Sequence, residues 1–135
     1  MNETIFNELY KLSMCAFKHG EIPVSAVIVK NNIIIAKGYN KRNTSNNPLD
    51  HAEIIAIKKA CKKSNNWRLN GCDLYVTLKP CSMCSEVIKE CRINNVYYLL
   101  DNEKCNNLIT NFIKVDHSYG CKIRDNMQKF FLDKR

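Results

Sequence analysis

The first polar and apolar residues of the chain follow a helical spacing. Between residues 2 and 19, apolar side chains recur every three or four positions, which is typical of one face of an amphipathic helix. These side chains are Ile5, Leu9, Leu12 and Ala16. Gly20 suits the end of this helix, because glycine adopts the left-handed conformation found just after helix C-termini.

A change to strand-like composition follows. The runs 24–30 and 33–39 are rich in β-branched residues and are separated by Asn31-Asn32. Asn tolerates positive φ, so the pattern predicts a tight hairpin between two strands. The polar stretch 41–47 predicts a loop that ends at Pro48.

In the second half of the chain, strands and helices alternate. The pattern predicts helices over 51–63 and 81–92, strands over 73–78 and 96–100, and a last strand over 108–115. A C-terminal helix then carries one apolar face, formed by Ile123, Met127, Phe130 and Phe131. Alternation of this kind predicts parallel pairing through right-handed crossovers.

These elements predict an α/β fold, a three-layer α/β/α sandwich with a mixed five-stranded sheet and helices on both faces. Repeats, low-complexity tracts and linkers rich in Pro, Gly or Ser are absent from the sequence. We therefore expect residues 1–135 to form one domain.

Composition limits the compartment and the partners. No apolar run reaches the roughly 18 residues of a membrane span, and the N-terminus lacks the basic and then apolar pattern of a secretory signal. The 8 Cys are therefore expected in a reducing compartment, with the cytoplasm as the expected location. The net charge of +8 favours an anionic partner such as nucleic acid. An AT-rich genome, which favours Lys, Asn and Ile, is another source of that charge.

Two cysteines have the spacing of metal ligands. Cys81 and Cys84 lie three residues apart at the start of a predicted helix, where they share a face. Pro80 suits the first turn, and the positive end of the helix dipole favours the thiolate that binds metal. The remaining cysteines lack partners at metal spacing, and we expect them to be structural. They are Cys15, Cys61, Cys72, Cys91, Cys105 and Cys121.

A histidine and a glutamate complete the candidate centre. His51 and Glu53 can converge on one metal only if His51 precedes the regular part of its helix, since residues two apart on a helix diverge. Glu53 is the one acidic residue in an otherwise apolar segment, 52–57. Burying a carboxylate there is costly unless it has a function. We therefore predict that Glu53 is a base and that His51 is a ligand.

The combination predicts a hydrolytic zinc site. Three protein ligands leave one zinc position for water, whereas a structural site is closed by four. Zinc lowers the pKa of its water to around 7, and Glu53 would carry the proton to a ring nitrogen and to the leaving ammonia. A His-x-Glu followed by Pro-Cys-x-x-Cys is the pattern of zinc-dependent nucleobase deaminases.

Several segments together resemble the bacterial tRNA-specific adenosine deaminases, within the cytidine-deaminase-like superfamily. The resemblance runs from the first helix to the last and is densest from residue 21 to 100. It rests on Glu-Ile-Pro-Val-Ser-Ala-Val at 21–27, Gly-Tyr-Asn at 38–40, His-Ala-Glu at 51–53 and Val-Thr-Leu-Lys-Pro-Cys-Ser-Met-Cys at 76–84. It implies a zinc enzyme that converts the wobble adenosine of a tRNA anticodon to inosine, and that works as a homodimer.

The resemblance also implies roles for individual residues. His51, Cys81 and Cys84 would bind zinc, and Glu53 would move the proton. Asn40 would hydrogen-bond the nucleoside, with Pro23 and Val24 in the pocket wall. The C-terminal helix would contact the RNA loop through Phe130, Phe131, Lys134 and Arg135, although the two phenylalanines also fit the core face of that helix.

The chain departs from the family pattern at three places. Lys79 stands where the family usually has Glu, which places a positive charge beside the metal. Ser25 replaces a usual Gly in the first strand, and we expect it to add bulk near the pocket. The stretch 101–107 lacks the family's Asp-x-Lys-x-Gly-Ala.

Two other functions fit the same residues. One is a zinc-dependent deaminase of a free base or nucleotide, of guanine, cytosine or cytidine type. The other is a non-catalytic zinc-folded RNA-binding subunit, which the presence of Glu53 disfavours because a structural site has no use for it.

Overall fold

The computed structural model describes residues 3–102 and 111–133. Ten elements follow one another in the chain. They are α1 (Glu3–Lys18), β1 (Ser25–Lys30), β2 (Ile33–Tyr39), α2 (Arg42–Ser45), α3 (Ala52–Ser64), β3 (Asp73–Leu78), α4 (Ser82–Glu90), β4 (Asn95–Leu100), β5 (Asn111–Lys114) and α5 (Ser118–Asp133).

The strands form one mixed five-stranded sheet in the order β2-β1-β3-β4-β5. β1 pairs antiparallel with β2 and with β3, whereas the pairs β3–β4 and β4–β5 are parallel. The predicted hairpin is confirmed, because Asn31 and Asn32 have φ of 51° and 63°. Positive φ at both central residues is the requirement of the turn that matches strand twist.

The two faces of the sheet have separate hydrophobic cores. Successive side chains of a strand point to opposite faces. In β1, Ala26 and Ile28 pack with α3, and Val27 and Val29 pack with α1. The first core also receives Ile88 from α4, and the second receives Ile123 from α5. The predicted three-layer α/β/α sandwich is therefore confirmed.

One sequence prediction about local structure needs correction. The stretch 41–47 is not only a loop, since Arg42–Ser45 forms the short helix α2. Four residues are too few for a periodic apolar pattern, which is why composition did not reveal the helix. In the described part of the chain the last strand begins at Asn111, and the predicted start of that strand lies outside the described residues.

The prediction for Ser25 is also wrong. Its hydroxyl donates to the Leu9 carbonyl of α1 at 2.6 Å. This direction is the sheet face opposite α3, because Ser25 alternates with Ala26 along the strand. Ser25 therefore fills the α1 side of the sheet and adds no bulk on the α3 side.

The helices in the described part of the chain lack the length and hydrophobicity that a membrane span requires.

Candidate metal centre

The N-termini of α3 and α4 bring three candidate ligands together. His51 is the N-cap of α3 with extended backbone (φ −73°, ψ 154°), and Cys81 is the N-cap of α4 in a similar conformation. Cys84 lies in the first turns of α4 and is fully buried. The prediction that His51 precedes the regular helix is confirmed. Because its backbone is extended and not helical, His51 can point toward the same site as Glu53, two residues later.

A close approach between β2 and α3 fixes where this site lies. A Cβ atom on Gly38 would come within 2.5 Å of the Ala52 carbonyl oxygen and 2.9 Å of the Ala56 nitrogen. Both distances are far below van der Waals contact, so only glycine allows β2 to lie against the first turns of α3. The helix start that carries His51 is thereby held against the sheet.

The distances between the three side chains fit a tetrahedral zinc ion. His51 Nδ1 lies 3.3 Å from Cys84 Sγ and 3.8 Å from Cys81 Sγ. Zinc bonds of about 2.3 Å to sulfur and 2.0–2.1 Å to nitrogen imply an N···S separation of about 3.6 Å at tetrahedral angles. All three ligand atoms lie within 4.8 Å of one another. Within residues 3–102 and 111–133, no other group of three His, Cys, Asp or Glu side chains is arranged to hold a metal.

The protonation of the two cysteines also suits a metal. The pKa of Cys81 is lowered to about 3, first by a hydrogen bond from the Cys84 thiol and then by His51. The pKa of Cys84 is raised because its thiol donates that bond and is buried. These contacts favour the thiolate form of Cys81, which is the form that binds zinc.

A buried carboxylate lies beside these ligands without full hydrogen bonding. Glu53 is 3% exposed, and its Oε1 has no hydrogen-bond partner among the described residues. Burial raises the pKa of this carboxyl above its ordinary value. A buried oxygen of this kind is costly unless another group satisfies it. A water molecule activated by a zinc ion that these residues would hold could be such a group. Three candidate ligands with a buried carboxylate beside them are the set of residues that a hydrolytic zinc centre requires.

The centre opens into a cavity of about 330 Å³. This volume is at the lower end of the range for small-molecule sites. The wall is mostly apolar, with a few polar and charged side chains. It is formed by Ile22, Val24, Asn40, Arg42, His51, Ala52, Glu53, Leu78, Lys79, Cys81, Asn102, Met127 and Phe131.

Of the three residues predicted to contact the substrate, two line the cavity and one does not. Val24 and Asn40 line it, and Asn40 is 7% exposed. The Asn40 Oδ1 accepts a hydrogen bond from the Arg42 N–H at 3.3 Å, which orients the side-chain amide. Pro23 is buried and is not among the residues that line the cavity, although its neighbours Ile22 and Val24 are.

The C-terminal residues predicted to contact RNA differ in whether a ligand can reach them. Phe130 is 9% exposed and belongs to the core, whereas Phe131 is 54% exposed and lines the cavity. The two rings meet edge to face at 5.4 Å between centroids. Lys134 and Arg135 lie outside the described residues. Of the two aromatic side chains, only Phe131 is accessible to a ligand in the cavity.

Glu21 is a buried carboxylate with 0% exposure, and its role was not predicted from the sequence. Its Oε1 accepts from the Asn43 N–H at 3.1 Å, and its Oε2 accepts from the Thr44 N–H and hydroxyl, each at 2.6 Å. Burial alone would raise the pKa of Glu21, but these hydrogen bonds outweigh it and hold that pKa below its ordinary value. Glu21 thereby fixes α2, and with it Arg42, at the cavity. The signal in the sequence was a lone carboxylate bordering an apolar run, which is the argument applied to Glu53.

Comparison with known proteins agrees with the fold and the centre. The sequence family "Cytidine and deoxycytidylate deaminase zinc-binding region" matches residues 1–100. The tRNA-specific adenosine deaminase of Aquifex aeolicus is 43% identical over 101 residues, which are 75% of this chain and 67% of that protein. Proteins of the same name from other bacteria are matched over 57% to 68% of their length.

Two solved structures are similar over nearly the whole chain. One comes from work on A-to-I editing by tRNA:A34 deaminases at the wobble position of transfer RNA. It has a TM-score of 0.83 and 28% identity, and covers 90% of this chain and 99% of that one. The other is guanine deaminase from Bacillus subtilis, with a TM-score of 0.71, 30% identity and coverage of 96% and 95%.

The fold and the centre define the class as zinc-dependent deaminases. The chain belongs to the cytidine and deoxycytidylate deaminase family.

Proposed function

We propose that this chain deaminates adenosine to inosine in tRNA, at the wobble position of the anticodon. The observation that carries the proposal is the buried, unsatisfied Oε1 of Glu53 beside three zinc-compatible ligand atoms. Relatives at 40–43% identity are named tRNA-specific adenosine deaminases, which supports adenosine in tRNA as the substrate. We infer that the described elements act as one deaminase domain, since both helical layers pack on the same sheet.

His51, Cys81 and Cys84 are the residues that would hold the zinc ion. When bound, zinc supplies a water molecule that loses a proton near neutral pH. Glu53 would accept one proton of the attacking water and pass it to the ring nitrogen N1 of adenine. It would then take the second proton from the new C6 hydroxyl and pass it to the amino group, which leaves as ammonia when the C6–N bond breaks. The raised pKa of the Glu53 carboxyl suits both parts of this role, because a base that must also act as an acid works best near the operating pH.

The cavity residues orient the nucleoside. Asn40 is held by its bond to the Arg42 N–H and can hydrogen-bond the substrate through its remaining amide hydrogens. Val24 offers an apolar surface to the base. The exposed ring of Phe131 at the cavity provides a stacking surface for a base of the RNA loop. An anticodon loop is single-stranded, so extruding its base costs less than in a duplex.

The partners follow from the same proposal. The anticodon stem-loop of tRNA is the anionic partner that the net charge of +8 favours. We also propose that the chain forms a homodimer and acts in the cytoplasm. Sedimentation of the zinc-loaded chain at two concentrations tests the dimer, and a single monomeric species at both would refute it.

A second function has specific support. The similarity to a guanine deaminase, at 30% identity and nearly full coverage, makes guanine the free base to compare with adenosine in RNA. The cavity is large enough for a purine base.

A substrate panel separates the two functions. Zinc-loaded protein is incubated with a tRNA that has adenosine at the wobble position, and separately with guanine, cytosine and cytidine. We expect inosine at the wobble position alone in the RNA, measured by digestion and mass spectrometry, and slow or no ammonia release from the free compounds. Rapid deamination of guanine with no inosine in the tRNA would replace the proposed substrate by the free base.

A further inference from the structure

Lys79 is a cation in the wall of the candidate active site, and its backbone is held by two hydrogen bonds. It lies between the end of β3 and the N-cap of α4, two residues before Cys81. Its N–H donates to the Leu100 carbonyl at 2.8 Å, and its own carbonyl accepts from the Asn102 side chain at 3.0 Å. These bonds fix the backbone of Lys79 against the end of β4, so the side chain starts from a defined position at the cavity.

The ammonium group of Lys79 lies near two aromatic rings. It is 5.4 Å from the centroid of Tyr98 and 5.2 Å from that of Phe112. Contacts of this length are within the range of cation–π interactions and restrict where the charge can move. The side chain is half-buried, so part of its hydration has been lost.

A described carboxylate near Lys79 is already paired with another lysine. The pKa of Asp101 is lowered mainly by its hydrogen bond from Lys114 Nζ at 2.6 Å, and to a lesser degree by the nearby charge of Lys79. Lys79 forms no ion pair within the part of the chain that the structure describes. A half-buried cation that has no ion-pair partner among residues 3–102 and 111–133 is suited to an anion supplied by a ligand.

The net charge of the side chains that line the cavity also favours an anionic ligand. Arg42 is a second cation in the wall, and Glu53 is the single acidic residue among the described lining residues. The two cysteine thiolates would neutralise the charge of a bound zinc ion. The cavity therefore carries more positive than negative charge at its wall, although a purine base is neutral.

We propose that Lys79 binds a phosphate group of the nucleotide whose base enters the cavity, and so selects a nucleotide over a free base or nucleoside. This inference rests on the proposed function and deepens it by naming the phosphodiester beside the target adenosine as the group recognised. Lys79 is a specificity-determining residue: its ammonium donates hydrogen bonds to phosphate oxygens.

The test compares charge changes at Lys79 with the same changes at a remote lysine. Lys63 is the matched control, since it is exposed at the C-terminal end of α3, roughly 18 Å along the helix from His51. The variants are Lys79→Gln, Lys79→Glu, Lys63→Gln and Lys63→Glu. Zinc content and melting temperature establish that each variant is folded and loaded.

Deamination kinetics on an anticodon stem-loop RNA give the main result. We expect Lys79→Gln to raise KM about tenfold, as for loss of one hydrogen bond to a charged group, with a much smaller effect on kcat. Lys79→Glu raises KM further. The slope of log KM against log salt concentration falls by about 0.7 for loss of one single-strand phosphate contact. A KM and salt slope equal to those of the Lys63 variants would overturn the proposal.

Competition by mononucleotides identifies the source of the phosphate. Adenosine and adenosine 5′-monophosphate are compared as competitors of the RNA. In the unmodified protein the monophosphate competes better than adenosine, and Lys79→Gln removes that preference. Deamination of the free monophosphate as efficiently as the RNA would overturn the phosphodiester as the source.

Failure of the proposed function has a different signature. If the unmodified protein forms no inosine in any RNA, adenosine deamination in tRNA is wrong. Calorimetric binding of the two competitors then still tests Lys79, because that preference needs no turnover. Equal binding of both, or a preference that survives Lys79→Gln, would refute the role of Lys79.

Discussion

Two buried carboxylates of this chain differ in how their oxygen atoms are satisfied. Glu21 is fully buried, and both of its oxygens accept hydrogen bonds from Asn43 and Thr44. Glu53 is nearly as buried, but its Oε1 has no partner among the described residues. The pKa of the Glu21 carboxyl is lowered and that of Glu53 is raised. Burial alone therefore does not separate the structural carboxylate Glu21 from Glu53, the carboxylate that we propose as the catalytic base, whereas hydrogen bonding does.

The difference shows how a fold supports a reactive group. Glu21 joins the end of α1 to α2 and so holds one side of the cavity. Glu53 lies in the first turn of α3, which packs closely against β2 at Gly38. An unsatisfied buried oxygen costs free energy. The surrounding packing must therefore supply the stability that the reactive carboxylate does not.

The largest expected effect comes from removing a candidate metal ligand. Cys84→Ala should lower zinc affinity by more than about 100-fold, because removing a direct ligand costs more than the 10–100-fold typical of an outer-shell partner. Metal content after dialysis measures it. Cys91→Ala is the control, because Cys91 is also buried but is not in the metal group. Both variants lose packing, but only Cys84→Ala should lose zinc; one zinc per chain in both would show that Cys84 is not a ligand.

Next in size is the effect of Glu53 on turnover. Glu53→Gln keeps the shape of the side chain but cannot accept and return the proton, so kcat should fall by about 10²- to 10⁴-fold. Zinc content should stay the same. The melting temperature should not fall, because the variant removes a buried charge that is not fully hydrogen-bonded. Turnover within a factor of two of the unmodified protein would remove Glu53 from the mechanism.

The sequence predicted much of the fold because hydrophobic periodicity is a local signal. The strands at 33–39 and 73–78 have the predicted bounds. The spacing of His51, Cys81 and Cys84 correctly predicted that they meet, since each lies at a helix start that the pattern could locate.

Long-range contacts explain what the sequence did not reveal. Glu21 is bonded to residues 22 and 23 positions away, on a helix of four residues that no periodicity could indicate. The face of the sheet to which the Ser25 side chain points depends on the register of β1. The presence of serine where the family usually has glycine does not reveal that register. Phe130 and Phe131 are adjacent, yet only their position on α5 decides that the first is buried and the second exposed.

A smaller effect is expected from the structural carboxylate. Glu21→Gln should lower the free energy of unfolding by about 1.5–3 kcal/mol, the range for hydrogen bonds to a charged group. Urea denaturation measures it, with the exposed Glu86→Gln as control. Glu53→Gln should therefore lose turnover without losing stability, whereas Glu21→Gln should lose stability. Loss of stability in Glu53→Gln but not in Glu21→Gln would reverse the comparison.

The smallest effect is the pH dependence of that loss. Because the pKa of Glu21 is lower in the folded chain, its contribution to stability is complete above the unfolded pKa of about 4.3 and disappears as the pH falls through the folded value. The difference in unfolding free energy between the unmodified protein and Glu21→Gln should therefore be constant near neutral pH and shrink under acid conditions. A difference that grows on acidification would contradict the assigned shift.

The origin of the oxygen in the product tests the central claim most directly. Zinc-loaded protein is given a tRNA with adenosine at the wobble position in water enriched in oxygen-18, and the nucleosides are examined by mass spectrometry. A hydrolytic centre predicts inosine that carries one oxygen-18 atom at C6, with the ammonia released in equal amount. Inosine without the label, or one bound zinc per chain with no inosine formed, would contradict the account.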